Sequence, residues 1–371
     1  MVWHALTRIP IRLGFAATLR GFAASILAAA CCEAAAGDPP QADVSDAVVP
    51  QDRYPERHVD FPGGVRGIPD LVYESIPGFR PLHLDLYRQK SAGAPRPLVI
   101  YLHGGGWMNG HTRQSGAFAS WPNVLASLAA RGYVVASVEY RLSGEAKFPA
   151  AEQDVKAAVR WLRSQAAVFG IDKSRAIVWG ASAGGHLAAL TATSCGVAEL
   201  EPEVRPAWAG EVPRGTPGAV QAAGAQPESD CVQAAVTWYG IFDFSTLASQ
   251  RDPGSTALTD RPDSADARFL GCRISACAPA VLAAASPVTY IDHDDPPMLL
   301  IHGLGDRTVP VKQSQDMYDR LRAAGVSAKL VLVPDVDHSF IGKTPADTRK
   351  ASREALRKVF EFIDATVGAR K

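Results

Sequence analysis

"AIVWGASAGGHLAAL" (residues 176–190) runs from a short apolar stretch through a glycine-flanked serine into an alanine-rich segment of helical character. The apolar stretch reads as a buried strand. The core Gly180-Ala181-Ser182-Ala183-Gly184 then matches G-x-S-x-G, the sharp strand-to-helix turn that lifts a serine hydroxyl above a sheet. Small neighbours are needed there because the backbone reverses within a few residues. At ordinary glycine and serine usage, a chain of 371 residues shows the bare pattern by chance about one time in ten. The motif acquires meaning only from partners elsewhere.

Working outward, "PLVIYLH" (97–103), "YVVASVE" (133–139), "AAVTWY" (234–239), "MLLI" (298–301) and "KLVLV" (329–333) are further short apolar runs and predict buried strands. Between the second of these and residue 176, Val155, Ala158, Val159, Leu162 and Ala166 recur at helical spacing, as do Leu356, Val359, Phe360, Ile363 and Val367 near the end. Strands alternating with such helices predict an α/β fold: a mainly parallel central sheet with helices on both faces. "LVYESI" (71–76) and "LHLDLYR" (82–88) predict an antiparallel edge hairpin. The Pro-, Gly- and Ala-rich residues 196–230 read as a surface insertion in a single folded domain over 57–371. The segment from Asp243 to Tyr290 is too short for an elaborate lid, so little or no cap domain is expected.

The first 36 residues carry Arg8, Arg12 and Arg20, an apolar stretch from Gly21 to Cys32 and the small-residue site Ala34-Ala35-Ala36. This is the pattern of a secretory signal peptide, and the apolar stretch is too short for a stable membrane span. Export to a periplasmic or secreted location follows as an expectation, with lipid anchoring at Cys31 as the lesser alternative. Residues 37–56, rich in Pro, Asp and Gln, read as a flexible lead-in. Loss of the signal leaves Cys195, Cys231, Cys272 and Cys277, an even set that predicts two disulfides in an oxidising compartment. The local pairing, Cys195 with Cys231 and Cys272 with Cys277, is one of three possible. Zinc would need paired ligand spacings that these cysteines lack. Lys plus Arg equals Asp plus Glu at 38 each, so no net field draws nucleic acid or an anionic membrane to the chain. The composition does not set an oligomeric state.

A serine needs a base to take its proton, an acid to orient that base and backbone donors to meet an oxyanion. "HGGGW" (103–107) follows a strand directly, and Gly105 and Gly106, with Ala183 after the serine, supply candidate oxyanion-hole N–H groups. "HGLGDRTVP" places Asp306 just past a strand, and "PDVDHSF" places His338 just past the next. The order Ser182, Asp306, His338 is that of α/β-hydrolases. Asp243, Asp335 and Asp337 are the competing acids. His302 and His186 read as structural histidines, and "DHDDPP" (292–297) as a polar turn with no metal. Trp107 either contacts substrate or packs over the sheet.

With these motifs in hand, the chain from about Leu82 onward resembles the α/β-hydrolase superfamily. Within it, the similarity is to carboxylesterases with an HGG-x-W oxyanion motif, a group that includes feruloyl and acetyl esterases and is related to the hormone-sensitive-lipase branch. "EYRLSGEAKFPAAEQDVKAAVRWL" (139–162) and "GASAGGHLAAL" (180–190) carry the resemblance beside HGGGW. The resemblance implies an α/β-hydrolase fold, acylation of Ser182, proton transfer by His338, support from Asp306, no cofactor, and structural roles for Arg141 and Asp154. The expected substrate is a small or polysaccharide-linked ester with a short or aromatic acyl group. An exopeptidase or amidase on the same fold, and a non-catalytic binding protein, are the alternatives.

Overall fold

Side chains along the central strands alternate between two apolar layers, as the period of a strand requires. In the computed structural model, which describes residues 57–91, 93–202, 228–252, 255 and 260–368, strand β4 (Arg96–Leu102) sends Leu98, Ile100 and Leu102 to one layer and Val99 and Tyr101 to the other. Strand β6 (Ile171–Ala181) does the same with Val178 on one side and Ile177 and Trp179 on the other. Helices α2 (Ala150–Ser164) and α4 (Ala183–Thr193) cover the first layer with Val155, Leu162 and Leu187. Helices α1 (Trp121–Ala130) and α9 (Pro345–Thr366) cover the second with Trp121, Leu125, Val359 and Ile363. The expected sheet with helices on both faces is the observed one.

Among the described residues the sheet has nine strands in the order β1-β2-β3-β5-β4-β6-β7-β8-β9. The remaining strands are β1 (Val59–Phe61), β2 (Val65–Glu74), β3 (Leu82–Gln89), β5 (Val134–Val138), β7 (Ala234–Trp238), β8 (Met298–Gly303) and β9 (Ala328–Val333). From β5 through β4 to β9 every pairing is parallel, whereas β1, β2 and β3 pair antiparallel. The β2–β3 hairpin is present, but it is not the edge of the sheet. β1 folds back along β2, and β2 begins at Val65, earlier than its apolar pattern indicates. Pro69 hides that extension, because proline cannot donate to a ladder. The register slips between Ile68 and Leu71, and Asp70 N donates instead to Asp85 Oδ1 at 2.9 Å. A second difference is Ala166, which belongs to a separate short helix, α3 (Ala166–Phe169), after α2 stops at Ser164.

Among the described residues between β7 and β8 lie three short α-helices, α5 (Phe244–Gln250), α6 (Ala265–Leu270) and α7 (Pro279–Ala284). Cys195 pairs with Cys231 and Cys272 with Cys277, with Cα atoms 4.9 and 5.3 Å apart. The export signal, the lead-in and most of the 196–230 insertion lie outside the described residues. Among the described residues, no helix is long and apolar enough to cross a membrane.

Candidate active site

Because β4, β6, β8 and β9 run parallel, the loops after them emerge on one edge of the sheet, where open α/β sheets place their ligands. His103 follows β4, Ser182 follows β6, Asp306 lies just after β8 and His338 just after β9. Ser182 sits at φ 55° and ψ −118°, a conformation that costs on the order of 1–3 kcal/mol for a non-glycine residue. Two hydrogen bonds hold it there: Ser182 N donates to Trp238 O at 2.8 Å, and His186 N donates to Ser182 O at 2.9 Å. The flanking glycines are obligatory. A Cβ on Gly180 would stand 2.0 Å from Gly184 O, and one on Gly184 would stand 2.1 Å from Leu102 O. The pattern that opened the sequence is thus a close packing of β4, β6 and α4.

Ser182 Oγ lies 3.0 Å from His338 Nε2, and His338 Nδ1 lies 2.8 Å from Asp306 Oδ2. The other carboxylate oxygen of Asp306 accepts from Thr308 N and Val309 N at 2.9 and 2.8 Å, which fixes its plane. Burial pushes the Asp306 carboxyl upward, but hydrogen bonds from His302 and His338 outweigh it and hold the group well below the usual carboxylate range. The competing acids are engaged elsewhere. Asp243 caps α5 through Ser245 N, and Asp335 is an exposed turn residue. Asp337 accepts from Arg307 N and His338 N.

The glycines of HGGGW form a tight loop opposite Ser182. Gly105 has φ +113°, and Met108 N and Asn109 N both donate back to its carbonyl. A Cβ on Gly105 would stand 2.1 Å from Asn109 O. Gly105, Gly106 and Ser182 line one cleft of about 420 Å³ with Asn109, Gln114, Ser115, Thr308 and His338. The N–H groups of Gly105, Gly106 and Ala183 make no backbone hydrogen bond among the described residues, so they remain available as donors. Behind this loop His103 is stacked on Tyr140. Burial lowers its imidazole to about 4 against a supporting hydrogen bond from its ring N–H to Gly104 O, so it is neutral at neutral pH.

Trp107 is a correction. Its side chain, 2% exposed, does not line the cleft but stacks on Phe269 at 4.3 Å and meets His186 and Phe244. The left-handed φ of 56° at Trp107 turns the indole away from the glycine loop and into the core, where it seats that loop against α6. His186 packs in the same cluster with Nε2 2.8 Å from Ala285 O, and burial lowers it to about 4. Arg141 and Asp154 form a buried pair in which the Arg141 backbone N–H and guanidinium both donate to the carboxylate.

Residues that sequence reasoning missed complete the cleft. Tyr239, at φ 41°, sets its ring 4.6 Å from that of His338 at 62°. Asp85 of β3 accepts from Thr112 Oγ1 at 2.8 Å and from Arg113 Nε at 2.7 Å. These bonds pin the loop whose Asn109, Gln114 and Ser115 form one wall. A tyrosine before glycine at the end of β7 is the only sequence signal for the first. An acidic residue amid the apolar positions of β3 is the signal for the second.

The sequence profile of the BD-FAE family matches residues 84–321, a span that holds Ser182, Asp306 and the glycine loop, with His338 beyond it. Over 259 residues the chain is 32% identical to the esterase LipC of Mycobacterium tuberculosis, covering 69% of this chain and 56% of LipC. The chain thus spans little more than half the length of that relative. Over 272 residues it is 29% identical to the ethyl acetate hydrolase of Pseudomonas putida, covering 70% of this chain and 71% of that protein. Among solved structures, a truncated carbohydrate esterase from gut microbiota aligns with a TM-score of 0.61 at 26% identity, covering 82% of this chain and 96% of that one. With a family profile over more than half its length, and with the sheet and loops described above, this chain belongs to the BD-FAE family, on the α/β-hydrolase fold.

Proposed function

We propose that the chain is an exported serine carboxylesterase that needs no cofactor, and that it hydrolyses carboxylic esters of short or aromatic acyl groups. The observation that carries this reading is the continuous line from Ser182 Oγ through the His338 ring to Asp306, at 3.0 and 2.8 Å. In that geometry His338 Nε2 takes the hydroxyl proton as Ser182 Oγ forms a bond to the ester carbonyl carbon. The carbonyl oxygen becomes an oxyanion within reach of the N–H groups of Gly105, Gly106 and Ala183. Collapse breaks the bond to the alcohol oxygen, and His338 returns its proton to that leaving group. Water then repeats the sequence on the acyl-serine, releasing the acid and regenerating Ser182.

Export is supported by the Arg-bearing, apolar and small-residue pattern of residues 1–36, and by the two cysteine pairs, which suit an oxidising compartment. Between β7 and β8 the described residues form only short helices and no large lid, which supports an open site and hence short or planar acyl groups. An extracellular, polysaccharide-linked ester is the natural substrate class for such a location.

The test is hydrolysis of a chain-length series of p-nitrophenyl esters, a methyl hydroxycinnamate and an aminoacyl anilide by wild type and Ser182→Ala. Ester turnover that falls at least about a thousandfold in the variant is expected, because loss of a triad nucleophile removes the whole covalent route. Turnover of the anilide alone would reassign the chain as an amidase or peptidase. Turnover of neither substrate class would return it to a binding role.

A further inference from the structure

Asp306 is held by two histidines. His338 Nδ1 and His302 Nε2 approach the same oxygen, Oδ2, at 2.8 and 3.2 Å. His302 stands in β8, four residues before Asp306, and the side chains of both are fully buried. Its ring nitrogens are partnered by its neighbours. Nε2 faces two acceptors, Asp306 Oδ2 and Val309 O, the latter at 3.0 Å, so the hydrogen of the neutral ring is on Nε2. Nδ1 is then the acceptor for the Ser314 hydroxyl at 2.7 Å, which comes from helix α8 (Val311–Ala323). The two acceptors facing Nε2 therefore select the tautomer that aims a donor at the carboxylate, and the Ser314 hydroxyl completes the ring's hydrogen bonds at Nδ1.

We infer that His302 is a positioning residue for the proposed reaction: by donating to Asp306 Oδ2 it fixes the carboxylate and sets how strongly that carboxylate draws on His338. The inference rests on the esterase reading for its kinetic consequence, but the pairing itself does not. A carboxylate oxygen that accepts two hydrogen bonds gives less to each than one that accepts a single bond. His302 therefore weakens the hold of Asp306 on the imidazolium form of His338, while its rigid, fully buried ring prevents Oδ2 from swinging away. The two effects oppose each other in a predictable way: removing His302 strengthens the attraction for the imidazolium and loosens the geometry.

The other charged and titratable groups around this centre, among the described residues, leave the assignment intact. Arg307 and Asp337, in the loops after β8 and β9, form an ion pair with each other at 2.7 Å. Tyr239, in the loop after β7, has a phenol that burial holds well above its ordinary value, so it stays neutral.

The experiment compares wild type, His302→Phe and His302→Gln by two readouts: the titration of His338 in isotope-labelled histidine NMR, and the pH dependence of kcat for ester hydrolysis. Phenylalanine fills the ring's space without a donor, whereas glutamine restores an N–H near the Nε2 position. In His302→Phe the titration of His338 and the acid limb of kcat should move to higher pH by about 0.5–1 unit. In the same variant kcat should fall roughly tenfold with KM within about twofold. His302→Gln should recover most of both effects. A folded His302→Phe protein with unmoved His338 titration overturns the inference. If that variant does not fold, Ser314→Ala takes its place. Without its Nδ1 partner the ring is held less firmly against Asp306 Oδ2 and should give a smaller shift in the same direction, and no shift would again overturn the inference. The NMR titration reads resting protein, so a wild type inert on every ester would overturn the esterase reading and leave this test decisive.

Discussion

Arg307 and Asp337 tie the loop that carries Asp306 to the loop that carries His338. Arg307 N donates to Asp337 Oδ1 at 2.9 Å and Arg307 Nε to Oδ2 at 2.8 Å, and the same carboxylate accepts from His338 N at 2.7 Å. The aspartate beside His338 thus holds the acid and base loops in register.

Asp337→Ala removes the acceptor for two backbone N–H groups. It should cost about 1 kcal/mol of stability, as loss of a comparable cap does, and lower kcat/KM roughly tenfold. Asp337→Asn, which keeps an acceptor oxygen, should recover most of the loss in thermal melts and kinetics. Burial raises the Asp337 carboxyl, but the N–H groups of Arg307 and His338 and the Arg307 guanidinium lower it further. Its contribution should therefore be complete above about pH 4 and fade as the solution is acidified through the depressed value. An equal stability loss in the alanine variant at all pH values would count against this.

Gly105→Ala tests the oxyanion loop. The new Cβ would meet Asn109 O at 2.1 Å on a backbone at φ +113°, so the loop must shift and take its N–H groups with it. A fall in kcat of roughly a hundredfold or more is expected, with smaller effects on KM and on the far-ultraviolet circular dichroism. Unchanged kcat would remove Gly105 from the oxyanion hole.

Glu152 gives a pH dependence of stability that is independent of the active site. It is fully buried in α2, its Oε1 accepts from Thr191 at 2.8 Å, and burial pushes its carboxyl up to about 8 against the pull of Lys156 and Thr191. Between an unfolded value of about 4.3 and that folded value the native state holds the extra proton, so stability falls as pH rises through this window. Glu152→Gln has no proton to lose. Its melting temperature should equal or exceed that of wild type, by a margin that widens from pH 5 to pH 8. A margin that narrows instead would mean that the native carboxyl is ionised.

The two cysteine pairs should differ in weight. Cys195–Cys231 closes a sequence separation of 36, and Cys272–Cys277 one of 5. Chain-entropy reasoning assigns roughly 3–4 kcal/mol to the first and about 2 kcal/mol to the second. Urea unfolding of the two double-serine variants should rank them in that order, and peptide mapping without reductant should recover both pairings. A free thiol at Cys195 or Cys231 would sink the first.

The sequence by itself determined the architecture and the chemistry-bearing order of the site. Strand alternation, helical spacing and glycine-bounded turns are local signals, and a parallel α/β sheet necessarily gathers the ends of its strands on one edge. Ser182, Asp306 and His338 could therefore be placed from motifs at strand ends and their order along the chain, and the glycines of the elbow and oxyanion loop from the need for close backbone approach. The edge hairpin was legible as a hairpin but not as an interior pair, because Pro69 masked the outer half of β2 and the partner strand β1 is only three residues long. Only the tertiary structure decided where side chains point. One left-handed φ turns Trp107 into the core instead of the cleft. Contacts from other elements set Tyr239 beside His338, Asp85 beneath the cleft wall and His302 on the far side of Asp306. Those placements depend on backbone geometry and on neighbours distant in the chain, which local residue patterns mark at most weakly.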